Sequence, residues 1–305
     1  MSEVSLSPKV LSCGHEVLEA DQCHYCSYIQ NTLIDELVEP KYSDGSPREY
    51  SHPDEFQFIL VHQSCELSFK GCLFEMDRAI AAMSDGDSTA ACDFVSRCRS
   101  WLQISTRQLQ HLVDHLTPED FSFFRDHLSP ASGAESIRFR LIELKSGIAP
   151  NEAYVGHRGR HYTFRQFLDR GPTTGTGRPK TRWWTEEMSQ QALAPSLRSA
   201  FVALAQARGV GLRDLNDTEE SEQLCLQLLT EESSLGELSH KLVRLEHAIL
   251  SLRRVHINAA IKHISETPGT GHTDGVLYLR SVLEIARCFP ALYTASERLR
   301  IEGAE

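Results

Sequence analysis

Long apolar runs are missing from this chain. No stretch approaches the roughly 20 consecutive apolar residues that a helix needs to cross a bilayer. The opening segment, MSEVSLSPKVLSCGHE, also lacks the basic start and apolar core that mark a secretory signal. We therefore expect a protein without a membrane anchor or an export signal, which acts in the cytoplasm.

An excess of positive charge is missing as well. The 305 residues include 31 Lys and Arg against 42 Asp and Glu, which gives a formal net charge of −11. Surfaces that bind nucleic acid neutralise phosphates with clustered Lys and Arg. The charge balance therefore argues against nucleic acid as the main partner.

Strand patterns, in which apolar and polar residues alternate, are nearly absent. Helical periodicity covers most of the chain, and its longest stretches are 54–83, 87–116 and 235–264. The sequence thus predicts an all-α protein. We divide it into an N-terminal arm with one short helix, residues 1–52, and a single helical-bundle domain, residues 53–305.

Nine cysteines are scattered along the chain. Without an export signal, reduced thiols are the default, and most of the nine fall in helical patterns where a thiol acts as a small buried hydrophobe. The N-terminal arm differs, because its Cys and His residues are ligand types that suit zinc. A structural zinc clip and reduced thiols in a mobile arm both remain open for this cluster, which comprises Cys13, His15, Cys23, His24 and Cys26.

Two histidines occupy apolar helix faces. His256 continues a row of leucines along the predicted 235–264 helix, and His62 shares a face with Phe58. Each is open to interpretation as a buried imidazole with a backbone partner, as a catalytic group, or as a ligand such as the axial ligand of a haem iron. The opposite side of the 235–264 helix is expected to be polar and carries Lys241, Arg244, Glu246, Arg253 and Arg254.

Four segments of the chain match extended sequence patterns. FILVHQSCELSFKGCLFEMD (58–77) is similar to F-x-x-x-H-Q-x-x-E-L-W-F-K, and FSFFRDHLSPASGAESIRFRLIE (121–143) to F-x-x-F-R-x-x-L-S-P-A-S-G-x-x-S-x-x-F-R-x-x-E. HINAAIKHISETPGTGHTDGVLYLR (256–280) is similar to H-x-x-x-V-x-R-x-x-G-x-x-x-G-T-G-G-S-S-G-x-x-Y-L-R, and YCSYIQNTL (25–33), more weakly, to Y-x-x-Y-L-x-L-x-x-L. These patterns and their order are those of the tryptophan 2,3-dioxygenase family, which the chain therefore resembles.

The resemblance implies the all-α fold of that family and haem b as cofactor. His256 matches the proximal ligand of the haem iron. His62 matches a residue on the distal side, near the indole nitrogen of the substrate, where it is better regarded as a hydrogen-bond partner than as an obligatory base. The implied reaction uses O2 to open the indole ring of L-tryptophan.

The same matching implies a substrate pocket. Arg125 would hold the carboxylate of the amino acid in a bidentate ion pair, and Thr270 would bind its ammonium and carboxylate groups. Phe58 and Phe121 would line the aromatic part of the pocket. Two tyrosines would reach into the pocket of a neighbouring subunit, which implies the family's homotetramer; they are Tyr25 and Tyr28.

The chain departs from the family near this site. GTGGSSG has become GTGHTDG, Ser68 stands where tryptophan is usual, and the segment after His256 reads AAIKHI in place of a V-x-R pattern. The bulkier loop places His272, Thr273 and Asp274 where the family has small residues. Divergence without a change of function is one explanation. A changed substrate or outcome is the other.

Three hypotheses from different classes follow. The first is a haem oxygenase that acts on L-tryptophan and forms N-formylkynurenine. The second is a haem monooxygenase of specialised metabolism, which converts a substituted tryptophan into a hydroxylated or oxindole product. The third is a non-enzymatic helical protein in which haem or zinc serves sensing or structure.

Overall fold

The structure is a computed structural model that describes residues 9–10, 16–17, 46, 49–128, 136–157, 160–170, 184–216, 218–264 and 276–302. The chain forms two compact units, Met1–Ser51 and His52–Glu305. In the first unit, two strands of two residues each, β1 (Lys9–Val10) and β2 (Glu16–Val17), pair in antiparallel fashion, with Lys9 opposite Val17.

The second unit is built from helices, as the periodicity predicts. In chain order they are α1 (Pro53–Ser84), α2 (Ser88–His115), α3 (Pro118–Arg125), α4 (Ile137–Ser146), α5 (Phe164–Arg170), α6 (Glu186–Leu193), α7 (Leu197–Ala207), α8 (Glu219–Thr230), α9 (Ser234–Ile264), α10 (Val276–Ile285) and α11 (Pro290–Glu302). A 3₁₀ turn, Asp126–Leu128, follows α3. The predicted all-α fold is confirmed.

Three long helices form the frame of this unit. α1 and α2 pack side by side across a turn at residues 85–87, α9 packs along α2, and α4 and α7 pack against α1. Trp101 of α2 lies so close to Gly71 of α1 that a Cβ there would stand 2.6 Å from the indole ring. Six cysteines among the described residues are buried free thiols, as expected for small apolar side chains: Cys65, Cys72, Cys92, Cys98, Cys225 and Cys288.

A β-hairpin that the sequence did not predict interrupts the helices. β3 (Ala153–His157) and β4 (Arg160–Thr163) pair in antiparallel fashion with an irregularity between Ala153 and Val155. Strands of five and four residues are too short for an alternating pattern to stand out. The hairpin is fixed by packing on α10, where the Gly156 backbone N–H donates to Ser281 Oγ at 2.9 Å.

The prediction of a uniformly polar outer side for α9 is wrong at two residues. Glu246 is fully buried and Arg253 is 7% exposed. Glu246 Oε2 accepts the backbone N–H groups of Cys288 and Phe289, each at 2.8 Å, just before α11 begins. Arg253 is buried against Glu143 of α4. Both partners are distant in sequence, so the helical pattern of α9 alone could not reveal them.

Among the described residues, no helix combines the length and the apolar character that crossing a bilayer requires.

Candidate functional site

A cavity of about 110 Å³ lies where α1, α2, α4 and α9 meet. His62 from α1 and His256 from α9 both face it. Its remaining walls are mostly apolar, with two guanidinium groups and one carboxylate, and they comprise Cys65, Glu66, Phe69, Leu109, Ser136, Phe139, Arg140, Leu252 and Arg253. The structure therefore brings together the two histidines that the sequence placed on separate apolar faces.

The ring of His62 is held in one tautomer by its own helix. Nδ1 lies 2.7 Å from the carbonyl oxygen of Phe58. A carbonyl can only accept, so Nδ1 carries the proton and donates, which leaves the lone pair of Nε2 in the neutral ring as an acceptor. Burial lowers the pKa of His62, and the hydrogen bond to Phe58 and the charge of Glu66 only partly oppose this effect.

His256 is kept neutral as well. Burial, followed by repulsion from His62 and Arg140, lowers its pKa to about 4. Its ring is half-buried because one side opens to the cavity. No hydrogen bond from another described residue reaches either of its ring nitrogens. A neutral imidazole with an available lone pair is the form that binds a metal ion.

A buried ionic network supports the wall formed by α4 and α9. Glu143 Oε1 accepts from Arg253 at 2.7 Å and from the Tyr154 hydroxyl at 2.8 Å, and its Oε2 lies 2.9 Å from Arg140 Nη1. Glu143 is completely buried, and each guanidinium is less than a tenth exposed. Arg253 also donates to the carbonyl of Ala286 at 2.8 Å. Such a network fixes the two arginines that line the cavity beside His256.

An aromatic cluster adjoins the His62 side of the cavity. The ring centroid of Phe58 lies 4.2 Å from that of His62, 5.7 Å from that of Phe121 and 5.7 Å from that of Phe124. The His263 ring lies 5.5 Å from Phe121. The cluster ties α1, α3 and the end of α9 together and offers apolar ring faces next to His62.

The other predicted site residues lie around this centre or outside the described residues. Phe58 and Phe121 contact each other in the aromatic cluster, although neither lines the cavity itself. Arg125 is the last residue of α3, directly after the buried Phe124, and is half-buried. Several predicted residues lie outside the described part of the chain: Tyr25, Tyr28, Thr270, His272, Thr273, Asp274 and the Cys/His cluster of the N-terminal arm.

Two of the departures from the family pattern have a structural explanation. Lys262 Nζ donates to the carbonyl of Val113 at 2.5 Å, and Nε2 of His263 lies 3.0 Å from the carbonyl of Leu116. Both groups thus contact orphan carbonyls at the C-terminal end of α2, where the charge of Lys262 is favoured. Ser68 is buried and donates to the carbonyl of Ser64 at 2.9 Å, within its own helix.

The sequence reasoning missed four polar residues at the cavity. Glu66 accepts from Ser136, and its other oxygen lies 3.2 Å from Arg138, so it joins α1 to the start of α4. Arg140 and Arg253 form the ionic wall described above. A signal existed for Arg253, because it precedes His256 by three residues, a spacing that places two side chains on one helix face.

One group of metal-ligand side chains occurs among the described residues, and it contains no cysteine: His52, Asp54 and Asp120. His52 Nδ1 accepts the backbone N–H of Asp54 at 3.2 Å and thereby caps α1. Thr117 in turn donates to Asp120 at 2.6 Å while capping α3. Helix capping accounts for this group.

Fold and site together define an all-α protein whose buried, histidine-lined cavity adjoins an aromatic cluster. The model of the tryptophan 2,3-dioxygenase family matches residues 11–171, more than half of the chain. The chain belongs to the tryptophan 2,3-dioxygenase family and is an oxidoreductase.

Relatives in curated collections match almost the whole chain. A tryptophan 2,3-dioxygenase of Caulobacter vibrioides is 29% identical over 287 residues, which cover 90% of this chain and 98% of the relative. One of a Nocardioides species is 29% identical over 277 residues, covering 89% and 93%. One of Geobacillus thermodenitrificans is 27% identical over 292 residues, covering 92% and 93%. Each match extends well beyond the residues covered by the family model.

Proposed function

We propose that this protein is a haem-dependent oxygenase that inserts O2 into the indole ring of L-tryptophan or a close derivative and forms a product of the N-formylkynurenine type. The observation that carries the proposal is the pair of neutral histidines, His62 and His256, which face one cavity from two different helices. The names of the matching relatives support tryptophan as the substrate class.

The residues around the cavity fit a haem by their chemistry. His256 offers a neutral imidazole nitrogen, and Arg140 and Arg253 offer cationic groups for the carboxylates of the cofactor. When bound, haem supplies the activation of O2. A volume of about 110 Å³ is below the 300–1,000 Å³ typical of ligand pockets, so a bound haem would extend beyond this cavity or displace its walls.

The tautomer of His62 defines its role toward the substrate. Its Nε2 can only accept while Nδ1 donates to Phe58, and an indole N–H can only donate. We therefore assign His62 the task of accepting the indole N–H. Phe58 and Phe121 would supply apolar contacts beside it. This arrangement orients the ring and excludes water without moving a proton.

The polar end of the amino acid needs charged partners. Arg125 at the end of α3 would pair with the substrate carboxylate, because a guanidinium binds both carboxylate oxygens at once. Thr270, in the segment that follows α9 in sequence, would bind the ammonium and carboxylate groups. Both assignments rest on the family resemblance.

The second candidate is a haem monooxygenase that yields a hydroxylated or oxindole product from a substituted tryptophan. It is favoured by departures from the family pattern, namely the small buried Ser68 and the residues His272, Thr273 and Asp274. By the family resemblance, these side chains would change the size and charge available beside a substrate, while both cavity histidines are kept. Counting the oxygen atoms in the product distinguishes the two candidates.

Assembly and location are part of the proposal. Tyr25 and Tyr28 of the N-terminal arm would complete the pocket of a neighbouring subunit in a homotetramer. We place the protein in the cytoplasm, where the buried free thiols remain reduced. A structural zinc ion at the Cys/His cluster of the arm remains a proposal of its own.

The ligand role of His256 is tested by replacing it with alanine. We expect His256→Ala to abolish the Soret absorption band of the purified protein, because the imidazole nitrogen that binds iron is removed. His161→Ala is the matched control, since this histidine is exposed on β4, and it should leave the band unchanged. A Soret band of normal intensity and position in His256→Ala would refute the assignment.

A further inference from the structure

A second pocket lies on the outer side of the α2–α9 pair, away from the histidine cavity. It is a groove of about 370 Å³. α2 contributes Arg99, Gln103, Thr106 and Arg107, and α9 contributes Arg244, His247, Ala248 and Ser251. Spacings of three and four residues place each set on one face of its helix, so the two helices turn polar faces toward a shared groove.

The groove is lined by cations and by no carboxylate. Among the described residues, neither a hydrogen bond nor an ion pair engages the guanidinium of Arg99, Arg107 or Arg244. Arg97, on the same helix as two of them, does have a carboxylate partner, since its Nη1 lies 3.8 Å from Glu75. Three guanidiniums without a partner among the described residues therefore line one groove of a chain whose net charge is −11.

The remaining polar groups of the groove are two hydroxyls, one amide and one imidazole. The hydroxyls of Thr106 and Ser251 donate to carbonyls of their own helices, each at 2.8 Å. Gln103 adds an amide with two N–H donors. His247 is held in place by Tyr293 of α11, with ring centroids 5.5 Å apart. The donors of the groove are therefore those of its three guanidiniums and of Gln103, and an apolar or cationic molecule would leave them unsatisfied.

We propose that this groove binds a small multivalent oxyanion of the phosphate or polycarboxylate class. Guanidinium forks match both kinds of oxyanion geometry. A monovalent anion would neutralise only one of the three arginines, whereas a trivalent one balances all three. A nucleic acid is disfavoured, because the groove is short and the chain as a whole is acidic. The site is separate from the proposed catalytic centre.

Isothermal titration calorimetry of the 305-residue chain tests the proposal. The probes are tripolyphosphate and citrate, each added at an ionic strength matched with sodium chloride. We expect at least one probe to bind once per chain, and the Arg99→Gln/Arg244→Gln double variant to weaken that binding at least about tenfold. The tighter of the two probes identifies whether phosphate or carboxylate chemistry is preferred.

Arg213→Gln serves as the control, because Arg213 is exposed and lies outside the groove. The affinity of Arg213→Gln for the probe should equal that of the unmodified chain. In the absence of the probe, all variants should have the same midpoint of thermal unfolding. Absence of binding at millimolar probe, or an equal loss in Arg213→Gln, would overturn the proposal. The proposal would also be overturned if the double variant lost an oligomeric state of the unmodified chain while it still bound the probe. The groove would then be a contact with an acidic surface of a second copy.

Discussion

At the scale of single residues, the site depends on two imidazoles that burial keeps neutral. His62 donates through Nδ1 to the carbonyl of Phe58, so Nε2 is left as an acceptor. His256 has its pKa lowered to about 4 by burial and by neighbouring positive charge. The positions of both residues could be predicted from helical spacing, but their tautomer and neutrality could not, because these depend on burial and partners.

The lowered pKa values predict acid lability of the haem-free protein. Above pH 6.5 His256 is neutral in both the folded and the unfolded chain, so it contributes no pH dependence. Between pH 6.5 and about 4 the unfolded chain takes up a proton that the folded chain refuses, so the free energy of unfolding falls, by about 3 kcal/mol in total. The lowered pKa of His62 acts in the same direction.

Urea unfolding between pH 8 and 4 measures this effect, with His256→Gln as the comparison. The variant should lose less stability on acidification than the unmodified chain. Because only the difference between the two is used, other titrating groups cancel, including Glu246, whose pKa is raised by burial. Parallel stability profiles would contradict a buried neutral His256.

At the scale of helices and strands, elements defined by local sequence signals could be predicted, and those defined by distant contacts could not. The ends of α1, α2 and α9 could be predicted because periodicity and capping residues are read locally. The β3–β4 hairpin could not, since its position is set by packing on α10. The buried side chain of Glu246 was missed for the same reason, as its partners precede α11.

The C-terminal end of α4 has a backbone conformation that favours glycine, and Gly147 occupies it. It ends α4 with φ of 134°, and a Cβ there would lie 2.4 Å from the Cβ of Arg198. Arg198 cannot easily withdraw, because it donates to the carbonyls of Cys288 and Arg287 at 2.7 and 3.0 Å and pairs with Glu152. We expect Gly147→Ala to lower the free energy of unfolding by at least about 2 kcal/mol.

Gly211→Ala is the control for this substitution. An added Cβ at Gly211 meets no atom within 4 Å, so the free energy of unfolding should change by less than about 1 kcal/mol. Denaturant unfolding of both variants gives the comparison. Equal stability of the two would mean that the backbone at residue 147 is not restricted as described.

At the scale of the whole molecule, one buried carboxylate links distant parts of the fold. Glu143 of α4 contacts Arg253 of α9 and Tyr154 of β3. Arg253 is 110 residues from Glu143 in sequence, and Tyr154 is 11 residues from it. No local pattern predicts such a network. The family resemblance identified the segments that contain Glu143 and His256, but not the contacts between them.

Removing the charge of Glu143 should therefore destabilise the fold strongly. Glu143→Gln leaves two buried guanidiniums without a carboxylate, which costs about 3–5 kcal/mol when a buried pair is broken. Glu297→Gln is the control, because it breaks only an exposed pair with Arg300 and should cost less than about 1 kcal/mol. Similar unfolding midpoints in urea would contradict a structural role for the network.

We propose that this protein inserts O2 into an indole ring held at the histidine-lined cavity. The most direct measurement is the mass of the product that the reduced protein forms from L-tryptophan under ¹⁸O2. We expect a product that carries two labelled atoms, as ring opening to N-formylkynurenine requires. One labelled atom would contradict it in favour of a monooxygenase and would direct attention to Ser68, His272, Thr273 and Asp274. Absence of any labelled product would contradict both oxygenase assignments for L-tryptophan.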